Sequence, residues 1–175
     1  MSDDAPSGAN PAPKPAAKPA AKLKARVARS AARLAAVQAL YQMEIAGTPL
    51  PEVRREFETH RLGAEIEGAT YAEADVEHFR NVLAGVVKAQ VRIDQMTDRA
   101  LVEKWPLGRI DATLRALFRA AGHELIARQD IPPKVVIGEY VDVAKAFFSG
   151  KEPGLVNGVL DHMAREARPG ALETR

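Results

Sequence analysis

Seven Lys and Arg side chains fall between Ala5 and Met43 with no Asp or Glu among them: Lys14, Lys18, Lys22, Lys24, Arg26, Arg29 and Arg33. With no acid inside the run, none of these cations has a local partner. The chemistry open to them is neutralisation of a polyanion, since Lys and Arg set against phosphates release condensed counterions. Over the whole chain 25 basic residues face 23 acidic ones, so the basicity belongs to one end. Lys22, Arg26, Arg29 and Arg33 recur at i, i+4, i+7 and i+11 and so share one side of a helix. Gln38 and Tyr41, further along, bring an amide and a ring that can hydrogen-bond to or stack on a base. The same charge run also fits a solvated helix face behind a solubility tail. A transit peptide would be equally acid-poor, but the segment is poor in Ser and starts with Asp3 and Asp4.

No catalytic constellation competes with this basic stripe. His60, His78, His123 and His162 share no short metal-ligand spacing. Ser2, Ser7, Ser30 and Ser149 lie in no nucleophile-elbow context, and there is no Cys. No Gly-rich phosphate loop follows a strand. The expectation is therefore a binding protein with no enzymatic activity, no metal and no cofactor.

The elements that must hold these residues read as helices throughout. Residues 1–22 are rich in Pro, Ala and Lys and too poor in apolar surface to fold, so they are expected to form a disordered basic tail. From Leu23 to just before Pro49 the composition suits a long helix. Its apolar stripe is Leu34, Val37, Tyr41 and Ile45, about a quarter turn from the cations. Val53 and Phe57 mark a short helix, and Gly63–Thr70 reads as a loop. Val76, Phe79, Val82, Leu83, Val86 and Val87 mark another helix, which continues or breaks near Val91. Ile93, Met96, Leu101 and Trp105 follow, stopped by Pro106 and Gly108. Ile110, Leu114, Leu117, Phe118, Ala121 and Leu125 form one continuous face. Pro132 and Pro133 open a helix whose apolar residues, from Val136 to Phe148, cover most of its circumference and should make it central. A final helix carries Leu155, Val156, Val159, Leu160 and Met163. The sum is an all-α chain of about seven helices, folded over residues 23–168, with a loose tail at 169–175. At 175 residues and 46% hydrophobic composition it fits one domain or two tightly packed halves. No apolar run reaches membrane-spanning length, which with the absence of Cys fits a cytoplasmic protein.

Taken together, these segments resemble one family. Arg33-Leu34-Ala35-Ala36-Val37-Gln38-Ala39-Leu40-Tyr41 is similar to the first helix of the NusB transcription antitermination family. Phe79-Arg80 with Leu83-Ala84-Gly85-Val86, Arg109-Ile110-Asp111 with Arg119 and Glu124-Leu125, Asp130 to Ile137 with Glu139 and Ala144-Lys145, and Val156-Asn157-Gly158-Val159-Leu160-Asp161 resemble later helices of that family in the same order. The resemblance implies two small helical bundles packed together. It implies binding of boxA RNA jointly with NusE, a small-subunit ribosomal protein, within an RNA polymerase antitermination complex that reads through terminators in ribosomal RNA operons. It assigns RNA contact to Lys24, Arg26, Arg29 and Arg33, joined by Lys22 and Gln38 from the stripe itself, and to Tyr41 and Lys134. Leu155 and Asn157 are assigned to the partner contact. The chain departs from the family where Ser30, Ala31 and Ala32 interrupt the arginine cluster, and where Pro133 and Leu155 stand in place of aromatics. The other reading is a NusB-like accessory module of a ribosomal RNA methyltransferase, which lacks here both a cofactor loop and a Cys nucleophile.

Overall fold

The structure is a computed structural model and describes residues 17–62, 74–101 and 107–173. Among them are six α-helices, one 3-10 turn (Leu107–Arg109) and no strand. The helices are α1 (Ala17–Ala46), α2 (Leu50–His60), α3 (Val76–Ala100), α4 (Ala112–Ala127), α5 (Pro133–Phe147) and α6 (Glu152–Ala167). α1, α2 and α3 pack pairwise on one another, and so do α4, α5 and α6. The two trios join where α1 and α3 both lie against α4. This is the two-bundle all-α architecture the sequence implied, with six helices in place of about seven. The difference lies in α3, which runs through the region of the expected break. Ala89 leaves the helical region (φ −118°, ψ 17°) and kinks the helix. The good helix formers Lys88, Ala89 and Gln90, with no Pro or Gly among them, carry the chain across.

α1 begins earlier than expected. Ala17–Lys22 are helical, although they were read as part of the tail. Ala and Lys are strong helix formers, and Pro19 sits in the first turn, where no intrahelical N–H bond is lost. The rest of that tail, the expected loop at Gly63–Thr70 and the Trp105-Pro106 stop lie outside the described residues. Gly47, at φ 67°, closes α1 in the left-handed conformation that glycine adopts without steric cost. Asp75 caps α3 by accepting from the His78 N–H at 2.9 Å, and Asp111 caps α4 by accepting from the Thr113 N–H at 2.7 Å.

α4, rather than α5, is the central element. Leu114, Ala116, Leu117, Phe118 and every residue from Ala120 to Leu125 are buried. α5 is one-sided: Val136, Ile137, Tyr140, Val143 and Ala144 are buried while Val135 and Phe147 are exposed. Small residues explain the exchange, because Ala116, Ala120, Ala121 and Gly122 let neighbours close on α4 from several directions. A Cβ added at Gly122 would stand 2.5 Å from Ile93 Cγ2, and one at Gly85 of α3 would stand 1.9 Å from the His123 ring. A side chain from each of α3 and α4 thus lies directly on the glycine backbone of the other. Beyond α6, buried Arg168 donates to the carbonyls of Glu124 (2.9 Å), Leu125 (2.8 Å), Arg128 (2.7 Å) and Ile131 (2.6 Å), tying the last turn of α4 and the loop that follows to the end of α6. Residues 169–173, expected to be loose, turn back so that Leu172 packs on the core. No helix among the described residues is long and apolar enough to cross a membrane.

Candidate nucleic-acid interface

The N-terminal half of α1 faces α5 and α6 across an open groove of about 1120 Å³. α1 contributes Lys22, Arg26 and Arg29; the first turn of α5 contributes Lys134; Lys145 and Arg165 stand on α5 and α6. Glu139, Asp142 and Asp161 line the same groove. Arg165 Nε lies 2.9 Å from Asp161, and Lys145 Nζ lies 3.8 Å from Asp142. Arg29 Nε is 3.9 Å from Asp75, and Arg26 Nε is 3.8 Å from Glu139. Arg29–Asp75, loose and between partly exposed side chains, is worth about 0–1 kcal/mol, and Arg26 is a solvated arginine 3.8 Å from buried Glu139, so an arriving phosphate can displace either carboxylate. Lys22 and Lys134 are exposed and have no ion pair among the described residues. Asn157 of α6 presents an exposed amide from the facing wall. The arrangement suits a flexible polyanion: movable cations on both walls, with an amide among those of α5 and α6.

Of the residues singled out in the sequence, the groove gathers Lys22, Arg26, Arg29, Lys134 and Asn157. Arg33 reaches the same groove from beneath, almost wholly buried, whereas Lys24, Gln38, Tyr41 and Leu155 lie outside it. Lys24 is exposed but lies about 160° round the helix from Arg26. Gln38 and Tyr41 line a separate depression of about 370 Å³ with Gln42, Ile45, Arg61 and Phe147. Arg29 and Tyr41 are about 18 Å apart along α1, at 1.5 Å per residue. Leu155 is half-buried and packs on the hydrophobic core.

Arg33 requires a correction. The helical spacing puts it among the solvent-facing cations, and the structure turns it inward until only 2% of it is exposed. Ala32, Ala36, Val37 and Leu40 are buried around it, whereas Tyr41 and Ile45 of the expected apolar stripe are 40% and 60% exposed. The buried face of α1 is therefore rotated from the one its large side chains suggested. Alanines set it, because they allow α1 to approach α4 closely. Arg33 sits at the centre of that face.

The inward guanidinium is fully engaged. Arg33 donates from Nε and Nη2 to the Glu124 carboxylate at 3.0 and 2.8 Å, and its Nη1 is 3.5 Å from Glu139. Tyr140 donates its hydroxyl to Glu124 Oε2, the oxygen that also accepts from Arg33 Nε. His78 Nδ1 lies 3.2 Å from Arg128 Nη1. Arginine has only donors, so Nδ1 accepts and the ring hydrogen sits on Nε2, which stands 3.2 Å from the Glu124 carboxylate. Burial alone would raise the Glu124 pKa; His78 and Arg33 outweigh it and hold the carboxyl at about 2. Burial also pushes the Tyr140 hydroxyl well above its ordinary range, with the Glu124 charge adding to it. For Arg33, burial works against the charge and Glu124 more than restores it.

Sequence reasoning missed Lys145, Arg165 and Glu139 as parts of the groove. Arg165 with Asp161 and Lys145 with Asp142 carry the i, i+4 and i, i+3 spacing of ordinary surface pairs, and nothing in a single helix shows which of its faces will look at another helix. Glu124 was detectable: an acid inside an otherwise apolar helical run needs a buried cation, and the chain offers few.

A model described as the NusB family matches residues 30–165. The transcription antitermination protein NusB of Agrobacterium fabrum is 51% identical over 133 residues, 76% of this chain and 81% of that protein. The NusB of Brucella ovis is 54% identical over 129 residues, 74% of this chain and 75% of the relative. Among solved structures, T. maritima NusB superposes with a TM-score of 0.65 at 30% identity, covering 83% of this chain and 93% of that one. A chain from the complex of antitermination factors NusB and NusE with dsRNA gives a TM-score of 0.65 at 21% identity, covering 82% and 98%, a likeness of fold.

Proposed function

The chain belongs to the NusB family, and we propose that it is an RNA-binding transcription antitermination factor that takes boxA-type RNA together with NusE. The observation that carries the RNA part is the convergence of Lys22, Arg26 and Arg29 from α1 with Lys134 from α5 on one groove. Lys22 and Lys134 neutralise backbone phosphates directly; Arg26 and Arg29 do so by leaving loose carboxylate partners. Asn157 hydrogen-bonds from the opposite wall, where the α6 surface also meets NusE. Gln38 and Tyr41 offer an amide and a half-exposed ring to a base at the second depression. The role is binding rather than catalysis. Acting on nascent transcripts within the RNA polymerase antitermination complex, the protein works in the cytoplasm.

The test is titration of the protein, with and without NusE, against boxA and scrambled RNA at several salt concentrations. NusE is expected to raise affinity for boxA RNA and not for the scrambled strand. Lys22→Ala combined with Lys134→Ala removes two cations that have no ion pair among the described residues. It should weaken binding and flatten the dependence of log affinity on log salt by about 1.4, at roughly 0.7 per phosphate on a single strand. An unchanged slope in a variant with an unaltered circular dichroism spectrum overturns the assignment of this groove.

A further inference from the structure

The groove floor holds one carboxylate that the binding role does not explain. Glu139 is 8% exposed. Its Oε2 accepts the Ser30 hydroxyl at 2.6 Å and stands 3.5 Å from Arg33 Nη1. The Ser30 hydroxyl also lies 3.0 Å from the Arg26 carbonyl, but it has one hydrogen, and the shorter contact to a charged acceptor takes it. Glu139 is thereby fixed on one oxygen, and Oε1 is left facing Arg26 Nε at 3.8 Å. Two carboxylates, Glu124 and Glu139, share the buried guanidinium of Arg33. The excess negative charge is met at the surface by Arg26, whose side chain is 77% exposed.

We propose that Glu139 is a positioning residue for RNA binding: it draws Arg26 across the groove floor and sets how much an incoming phosphate gains from that arginine. This rests on the reading of the groove as an RNA site. A phosphate that takes Arg26 must separate it from Glu139, and the uncovered carboxylate then recruits a cation from solution. That uptake largely cancels the counterion the phosphate releases. Arg26 accordingly contributes to affinity while contributing little to its salt dependence, unlike Lys22 and Lys134. The penalty applies to any phosphate that enters, so the groove holds non-cognate RNA more weakly than its cations alone would.

Glu139→Gln keeps the size of the side chain and an acceptor for Ser30 while removing the charge. It should raise affinity for boxA and scrambled RNA alike by about two- to five-fold, the range of a loose ion pair whose arginine is solvated. It should also steepen the salt slope by up to about 0.7, as one more cation becomes free to release a counterion. In an Arg26→Ala background the same substitution should change neither quantity. Arg26→Ala alone, a change at a solvated position, should weaken binding with a slope change well short of the about 0.7 expected of a free cation. The proposal is overturned if Glu139→Gln acts equally in both backgrounds, since Glu139 would then be a plain repulsive charge. It is overturned too if Glu139→Gln lowers the unfolding midpoint with RNA binding and slope unchanged, or if Arg26→Ala leaves affinity untouched or removes a full cation's slope. Failure here with the Lys22 and Lys134 effects intact sinks the role of Glu139 and leaves the RNA site standing.

Discussion

A guanidinium survives burial only where its donors are taken up, and Arg33 meets that condition. Glu124 accepts from Nε and Nη2, and Glu139 stands beside Nη1. Such a pair adds little net stability compared with apolar residues of similar shape, but losing one partner strands the other charge at a cost of about 3–5 kcal/mol. Arg33→Met should therefore lower the free energy of unfolding by roughly that amount, read from urea denaturation. The double substitution Arg33→Met with Glu124→Leu should be markedly less harmful than the single changes summed. The folded fraction of Arg33→Met should still bind RNA, with affinity lowered only as far as Glu139, freed of Arg33, holds Arg26 more tightly. A fully stable Arg33→Met protein that no longer binds RNA would return Arg33 to the binding surface.

Among the elements, α3 and α4 are held at a separation that only glycine permits. The His123 ring lies directly against Gly85, and Nε2 of that ring is 2.9 Å from the Asn81 amide oxygen. Gly85→Ala would place a methyl group 1.9 Å from a ring carbon within a well-packed helix pair. The helices must part or the ring must leave, at a cost of about 1–3 kcal/mol despite the better helix propensity of alanine. His123→Ala should absorb most of that cost, so the two substitutions should be strongly non-additive in thermal unfolding. Additive effects would mean that the close approach is not what limits this packing.

Over the whole molecule, buried titratable groups fix how stability responds to acid. Burial lowers the His123 pKa below its ordinary 6.5, with the Glu124 charge opposing that shift only in part. Below pH 6.5 the unfolded chain takes a proton on this residue that the folded chain refuses. Glu124 titrates near 4.5 when unfolded and at about 2 when folded, and Asp130, bound by Arg128, is likewise held at about 2. Below pH 4.5 the unfolded chain again binds more protons. In both windows stability rises with pH, so it should fall in two stages on acidification, first below 6.5 and then between 4.5 and 2. Urea midpoints at pH 7.5, 5.5 and 3.5 test this. His123→Gln should flatten the first interval and Glu124→Gln the second. A midpoint that is level between pH 7.5 and 5.5 in the unaltered protein would remove His123 from the account.

Periodicity, proline and glycine positions were enough to specify an all-α chain. The absence of acid from Ala5 to Met43 was enough to specify that its first helix is cationic, and the ordered run of motifs from Arg33 to Asp161 was enough to point to its family. These are local properties, carried by residues a few positions apart. Which cations face outward was decided only by tertiary packing. A 3.6-residue repeat fixes the angles between side chains on α1 but not the angle at which the core approaches. That angle was set by alanines and by Glu124, 91 residues downstream of Arg33. The same reason hid the groove, since its cations come from α1, α5 and α6, and no single helix reveals which of its faces another helix will meet.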